Sequence, residues 1–323
     1  MVTKDEAMAA DGCSAEAGLA VRRKLPKKRK WKSVQWLCFG LALIPIVSFA
    51  VFSGVPVVLS FISMFTNMEN NDLSTMEWNS FQNFIEVFHD ERFWRSWKTT
   101  FWLASAQLVT LVIALIISVL LEQKVKGAKA MQVLFFIPYI CSAVAVAIMW
   151  QWVFSKDFGV LNAIFGTNID WLNDAEHPSR LVWCVYITTV WSAPAYGIVM
   201  FKAALKNVNP SLYEAASLDG ANGFDRFWYV TLPAIKQVTL FLLLASITGG
   251  LAVFDAVTVL APLSWTGVAG PGDIGLTVNY YIYIKGVQQS EMEYAAVMSW
   301  VLFIVTFAIS FFVIRARNKA AEE

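Results

Sequence analysis

Asp255 is an ionisable residue inside an otherwise apolar stretch, residues 238–260. A carboxylate is costly in contact with lipid, so inside a membrane it is expected to face a cavity or a partner. Thr248 and Thr258 add polar groups to the same stretch, and Phe254 adds a ring on which a polar solute can lie. These four residues are candidate solute contacts. The alternative interpretation is that Asp255 bonds to a neighbouring helix.

Catalytic and metal-binding patterns find little support in this sequence. The two histidines, His89 and His177, lie far apart in polar connections, whereas a catalytic histidine needs an orienting partner. The cysteines follow no CxxC spacing, so neither a disulfide framework nor a metal site is expected. They are Cys13, Cys38, Cys141 and Cys184. We therefore predict no catalytic residues, no metal site and no enzymatic activity in this chain.

The composition indicates that the protein is embedded in a bilayer. Hydrophobic residues make up 57% of the 323 residues and charged residues only 15%, and the mean hydropathy is +0.55. A membrane-crossing helix needs ~20 mostly apolar residues. Six stretches qualify: 36–65, 98–121, 131–154, 181–204, 238–260 and 294–314. The predicted fold class is all-α, a polytopic membrane protein with six transmembrane helices.

A basic run at residues 22–32 precedes the first apolar stretch. A cleaved signal peptide is the competing interpretation, but this stretch is about twice as long as the usual signal core of ~15 residues. Placing the N-terminus inside puts nineteen of the 25 Lys and Arg residues on the cytoplasmic side, as the positive-inside rule requires. Both termini are therefore predicted to be cytoplasmic.

The predicted regions follow from these spans. They are a basic cytoplasmic tail at 1–35, a first transmembrane helix at 36–66, an external segment at 67–97, a core of five transmembrane helices at 98–314 and a cytoplasmic C-terminal tail at 315–323. Aromatic residues in the external segments are expected to anchor the membrane interface, with contact to an external protein or solute as the alternative. They are Trp78, Trp94, Trp171, Trp265 and the Tyr280-Tyr281-x-Tyr283 cluster.

Residues 209–237, between the fourth and fifth predicted spans, begin with the signals of a short helix. Pro210 suits a first helical turn; alternatively, Ser211 and Glu214 form a capping box. Gly220 supplies the permissive backbone that ends a helix. The sequence thus predicts a short capped helix in this cytoplasmic loop.

A second helix can start at Asn222 and must end near Pro233. Aromatic residues recur within it at helical spacing: Phe224, Phe227 and Trp228. The small residues Ala215 and Ala216 of the first helix allow another surface to approach closely. Such a loop either packs against another protein or lies in the lipid interface as an amphipathic segment.

The run from Glu214 to Ala221, followed by Phe227 and Leu232-Pro233, closely resembles the EAA loop of permease subunits in binding-protein-dependent ATP-binding-cassette (ABC) importers. Gln237 departs from the proline that the family often has there. Further matches cover nearly everything after the basic tail and resemble the carbohydrate branch, of the maltose and multiple-sugar type. They are Asn83-Phe84, Asp90-x-x-Phe93-Trp94, Phe135-Phe136-x-Pro138, Trp150, Phe154, Gly159, Leu161-Asn162, Phe254-Asp255, Gly270-Pro271 and Tyr294-Ala295-Ala296.

This resemblance implies a type I ABC importer permease fold in a bacterial cytoplasmic membrane, forming half of the pathway for sugar uptake. It makes the EAA loop, 209–237, a coupling helix that docks on a separate ATPase subunit. The implied coupling positions are Tyr213, Glu214, Ala215, Ala216, Asp219, Gly220 and Phe227. The implied partners are two copies of the ATPase, a sister permease in a heterodimer, an extracytoplasmic solute-binding protein, the sugar and membrane lipid, without nucleic acid.

An importer needs an energy source, yet the sequence contains no GxxxxGK[ST] motif of the kind that holds nucleotide phosphates. We therefore expect no cofactor on this chain, with ATP and Mg bound by the partner ATPase. Import of another polar solute remains an alternative. A secondary carrier is a further one, but it requires inverted repeats and several intramembrane acidic groups, and neither is detected.

Overall fold

The computed structural model describes residues 31–68, 72–122, 127–261 and 267–322. Cys13, Trp265 and most of the basic run at 22–32 lie outside the described residues. The chain divides into two compact units, Met1–Val58 and Leu59–Glu323. The apolar stretches of the described residues are helical, which confirms the predicted all-α class.

Five helices among the described residues are long and apolar enough to cross a membrane, and a bent pair adds a sixth crossing if it is one span. They are Gln35–Ser63, Glu91–Glu122, Ser179–Lys206, Lys236–Leu260 and Met292–Arg317, with Ala130–Ile140 and Ala143–Val153 as the bent pair. These helices coincide with the six predicted spans. The second begins at Glu91, ahead of the predicted residue 98, because the helix continues through the polar residues before its apolar part.

The first apolar helix consists of α1, Trp31–Phe49, a π-helical turn, Ala50–Gly54, and α2, Val55–Ser63. The π turn ends two residues before Pro56, which has no backbone N–H to donate to the preceding turn. The described apolar side chains of this helix up to Val58 are almost all exposed. Such a surface is suited to lipid rather than water.

The larger unit begins its own elements with the short antiparallel strands β1, Thr66–Asn67, and β2, Glu77–Trp78. The helices that follow are α3, Gln82–His89, α4, Glu91–Glu122, α5, Ala128–Ile140, α6, Ala143–Val153, α7, Val160–Phe165, α8, Ser179–Ser192, α9, Pro194–Lys206, α10, Pro210–Leu218, α11, Gly223–Arg226, α12, Leu232–Ala234, α13, Lys236–Leu251, α14, Asp255–Leu260, α15, Val278–Tyr283, and α16, Met292–Glu322. Short 3-10 helices span Leu73–Thr75 and Pro271–Asp273, and π turns span Phe227–Thr231 and Ile284–Gln288.

The third predicted span, 131–154, is not one uninterrupted helix. Helices α5 and α6 meet at an angle of 101° across Cys141 and Ser142. The backbone of Cys141 is extended, with φ −70° and ψ 150°. Pro138 removes one hydrogen bond of the last turn of α5, so the helix is weakest just before the bend. The bend turns this span into a corner that opens space beside its neighbours.

Helix α4 is the central element of the larger unit, and α8, α9 and α13 pack along it. Its buried residues recur every three or four positions: Leu103, Ala106, Thr110, Ala114, Ser118 and Leu121. Close approach depends on small residues, as is usual between membrane helices. A Cβ atom added to Gly250 would lie 2.9 Å from the Cα atom of Ala104, and one added to Gly197 would lie 2.8 Å from the Cβ atom of Ala114.

A hydrogen-bonded cluster closes the end of the unit where α4 begins. The Asp90 carboxylate accepts bonds from the hydroxyls of Tyr281 at 2.5 Å and Tyr294 at 2.8 Å. Burial acts to raise the pKa of Asp90, but these bonds and one from the backbone N–H of Arg92 hold it below its ordinary value. Arg92 also forms an ion pair with Asp273 at 2.6 Å.

The Tyr280-Tyr281-x-Tyr283 cluster was predicted to anchor the membrane interface, and for two of its members the structure shows a different location. Tyr281 is only 2% exposed and Tyr280 is also buried, so these two side chains lie inside the protein instead of anchoring a membrane interface. Trp78 and Trp94 are exposed, as interface anchors require. The difference arises because the hydroxyls of Tyr280 and Tyr281 find acceptors within the protein, on Val268 and Asp90.

Candidate functional site: the 209–237 loop and an intramembrane cavity

The first helix of the loop, α10, starts and stops where its sequence signals predict. The side chain of Asn209 accepts a hydrogen bond from the backbone N–H of Ser211 at 3.0 Å, and Pro210 occupies the first turn. Gly220 has a positive φ of 81°, a backbone conformation that costs other residues ~1–2 kcal/mol. The start therefore follows the Pro210 alternative, with Asn209 as the capping residue.

The second helical segment begins with a capping box. The Asn222 side chain accepts bonds from the N–H groups of Phe224 and Asp225, and the Asp225 carboxylate accepts one from the N–H of Asn222. The segment then passes through the π turn and ends at Ala234, one residue after Pro233, as predicted. Both ends are thus fixed by local interactions.

Side-chain hydrogen bonds join the two helical segments. The Tyr213 and Thr231 hydroxyl oxygens lie 3.1 Å apart, and Thr231 is buried. The Arg226 guanidinium donates to the Ser217 hydroxyl at 3.3 Å. Ile235, at the end of the second segment, is buried in a cluster with Leu242 of α13. The loop is therefore a folded body attached to the membrane helices.

The outer surface of this body carries several large apolar side chains. Leu218 is 90% exposed and Tyr229 75%, and neither was predicted from the sequence to be important. The exposed rings of Phe224 and Trp228 stack in parallel, with centroids 6.3 Å apart and an interplanar angle of 8°. A fixed apolar surface of this kind is typical of a site that binds another protein.

The structure places the seven predicted coupling residues at different depths. Glu214, Ala215, Asp219 and Gly220 are exposed, whereas Tyr213, Ala216 and Phe227 are half-buried. Tyr213 thus has an internal role that its position in the motif did not reveal. The sequence does contain a local signal for the exposure of Leu218, because Leu218 is an apolar residue at the polar end of a short helix.

A cavity of about 470 Å³ lies between the bent third span and helices α4, α8, α9, α13 and α14. Among the predicted solute contacts, Phe254 and Asp255 line this cavity. Its other polar lining residues were not predicted: Gln107, Thr110, Tyr139, Thr188, Thr189, Ser192, Tyr196 and Ser246. Polar groups that line a partly open cavity between membrane helices form a suitable site for a polar solute.

Thr248 and Thr258 lie on the same segment but do not line the cavity. The Thr248 hydroxyl donates to the carbonyls of Leu244 and Ala245, and the Thr258 hydroxyl donates to that of Asp255 at 2.9 Å. These bonds satisfy the hydroxyls within their own helices. The arrangement favours Phe254 and Asp255 over the two threonines as solute contacts.

Asp255 reaches the cavity because the fifth span is interrupted. Helix α13 ends at Leu251 and α14 starts at Asp255, which leaves carbonyl groups without helical partners. The side chains of Thr277 and Asn279 donate to the carbonyls of Val253 and Ala252, at 3.1 and 3.2 Å. An interrupted helix is tolerated at membrane depth when its free groups are satisfied in this way.

The adjacent glycines of the fifth span have separate roles. Gly250 is buried against Ala104, whereas a Cβ atom on Gly249 would meet no atom within 4 Å, and Gly249 lines the cavity. Across the cavity, the rings of Tyr139 and Tyr196 stack with centroids 6.4 Å apart. Tyr139 and Tyr196 lie on different helices, so no local sequence signal joins them.

The sequence model of the family described as "Binding-protein-dependent transport system inner membrane component" matches residues 111–320. The chain belongs to this family. This permease is 33% identical over 274 residues to the probable ABC transporter permease protein YesP of Bacillus subtilis (strain 168), covering 82% of this chain and 85% of that one. Both the loop and the cavity segment around Asp255 fall within the family match.

Another relative of the permease is the arabinooligosaccharides transport system permease protein AraP of Halalkalibacterium halodurans. The two are 30% identical over 271 residues, which cover 82% of each chain. The fold matches a chain from the crystal structure of a bacterial ABC transporter involved in the import of the acidic polysaccharide alginate. That match has a TM-score of 0.74 and 24% identity, and it covers 90% of this chain and 98% of the other. The permease thus has the fold of an ABC importer subunit.

Proposed function

We propose that this permease forms half of a transmembrane pathway for a sugar and that its 209–237 loop receives the energy of ATP hydrolysis from a separate ATPase subunit. Two ATPase subunits bind ATP and Mg on the cytoplasmic side. A sister permease completes the pathway, and an external binding protein delivers the sugar. Both termini lie in the cytoplasm in this arrangement.

The exposed apolar surface of the loop is the observation that carries this proposal. Leu218, Phe224 and Trp228 project from a body that is held by hydrogen bonds and seated on the membrane helices. A movement of this surface is passed to the attached helices through these hydrogen bonds and through Ile235, which packs against α13. The arabinooligosaccharide relative supports a sugar, and the family description supports dependence on a binding protein.

The test is ATP-driven sugar uptake by proteoliposomes that contain the assembled transporter. We expect Glu214→Ala and Gly220→Val to lower uptake at least tenfold while the complex still inserts, since Glu214 is exposed at the docking surface and Gly220 fixes its end. Gly40→Val is the matched control, because Gly40 lies outside the loop, has open space around it and is not among the glycines with positive φ. Normal uptake by both loop variants would overturn the coupling role.

A further inference from the structure

The cavity contains an unbalanced charge. Asp255 is the one carboxylate among the described residues that line it, and no Lys, Arg or His lines it with them. Lys202 is directed elsewhere: its ammonium group donates to the Gln132 side chain at 2.6 Å, and Lys202 does not line the cavity. The described lining therefore offers a solute one negative charge and several neutral hydroxyl and amide groups.

The cavity lies between apolar helices and is open on the side where Asp255 is exposed. Two like charges near a protein surface still repel each other more than in bulk water, because the effective dielectric there is lower. The stacked rings of Tyr139 and Tyr196 add to the effect, since aromatic faces carry partial negative charge and attract cations or C–H groups. A carboxylate or phosphate on the solute would find no compensating cation in this lining.

We propose that the cavity selects against anionic saccharides and that Asp255 is the selecting charge. This inference rests on the proposed function, because it narrows the class of sugar that the same pathway accepts. Neutral sugars donate hydroxyl hydrogen bonds to the Asp255 carboxylate, and amino sugars add an ion pair. Uronic acids and sugar phosphates bring a second negative charge toward it.

The experiment measures binding of three monosaccharides of equal size: galactose, galacturonate and galactosamine. The assembled transporter is placed in lipid nanodiscs without its binding protein, so that the selectivity of that protein does not contribute. Equilibrium dialysis with labelled sugars gives the affinities. We expect galacturonate to bind at least tenfold more weakly than galactose, and galactosamine to bind as well as galactose or better.

The variant Asp255→Asn keeps the shape of the side chain and removes its charge, so we expect it to bring galacturonate within about twofold of galactose. Asp157→Asn is the matched control, since Asp157 is exposed and lies outside the cavity lining. The control should keep the wild-type difference in affinity between galactose and galacturonate. If Asp255→Asn prevents assembly with the sister permease, the wild-type comparison of the three sugars still decides whether the cavity selects against anions, and Asp255→Ser tests whether Asp255 is the selecting charge.

Three outcomes would overturn the inference. Galacturonate binding the wild-type transporter as tightly as galactose would show that another chain supplies a cation. If Asp255→Asn still binds galacturonate at least tenfold more weakly than galactose, the selection belongs to other groups. Binding of none of the probes would remove the cavity as a sugar site. Failure of the proposed function is a different result, because it appears as absence of ATP-driven uptake of any sugar in proteoliposomes.

Discussion

The 209–237 loop is assembled from one continuous segment, whereas the cavity takes its lining from five helices and the bent third span. The loop turns large apolar side chains outward beside exposed polar ones, and hydrogen bonds between its two helical segments hold it together. The cavity turns polar groups inward, and the helices around it present apolar residues to their surroundings. One region is therefore suited to bind protein and the other a polar solute, and their sensitivities to substitution should differ accordingly.

The largest effect is expected at the outer surface of the loop. Replacing both Phe224 and Trp228 by alanine removes two large contact groups, each of which buries ~150–250 Å² in a well-packed interface. We expect at least a hundredfold loss of ATP-driven uptake and loss of the ATPase subunit on purification. Trp78→Ala, which truncates another exposed tryptophan outside the loop, should leave both unchanged.

The two glycines beside the cavity provide the next test. In Gly250→Ala the new Cβ atom would lie 2.9 Å from Ala104, so the helices must separate at a cost of ~1–3 kcal/mol. Gly249→Ala meets open space instead, and alanine favours the helix. Thermal unfolding of the purified complex should show a lower midpoint for Gly250→Ala only. Equal midpoints would contradict the packing described for α4 and α13.

A smaller effect is expected from the hydrogen bond between Tyr213 and Thr231, which lies inside the loop and not on its exposed surface. Tyr213→Phe removes the hydroxyl that faces Thr231, which weakens the attachment of α10 by ~1 kcal/mol. We expect more ATP hydrolysed per sugar imported, by roughly threefold, with the ATPase still bound. Tyr229→Phe, at an exposed ring, should leave this ratio unchanged. Loss of the ATPase from Tyr213→Phe would instead make Tyr213 a contact residue.

The smallest effect is expected at Asp90, directly before α4, and it concerns the stability of the folded protein in acid. The pKa of Asp90 is lowered in the folded protein, so its contribution to stability is present above the unfolded pKa of ~3.9 and is lost as pH falls through the folded value. Asp90→Asn should flatten the decline of the unfolding midpoint below about pH 4. A decline identical to that of the wild type would assign acid sensitivity to other carboxylates.

The loop was predictable because its determinants are local. Pro210, Gly220 and Asn222 each act within one helical turn, and the structure places helix boundaries at all three. The internal bond between Tyr213 and Thr231 was not predictable in the same way. It depends on how the second segment folds back across the first, which no single turn of sequence specifies.

The cavity was predictable only in part. Asp255 stood out because a charge is rare in an apolar span, and Phe254 lay next to it. Tyr139 and Tyr196 remained hidden, since they lie on different helices and each is an ordinary aromatic residue in its own. The bend after Pro138 was hidden as well, because a proline can kink a membrane helix or end it.

The interruption of the fifth span also bears on how such a protein can change its substrate. The carbonyls of Ala252 and Val253 are satisfied by Asn279 and Thr277, outside their own helix. The break in the helix therefore does not depend on the side chain of Asp255. Asp255 is exposed, whereas Val253 and Phe254 pack against the core, so position 255 can vary in size and charge while the surrounding scaffold keeps its shape. A mutational library confined to this position is thus a direct route to importers with new solute preferences.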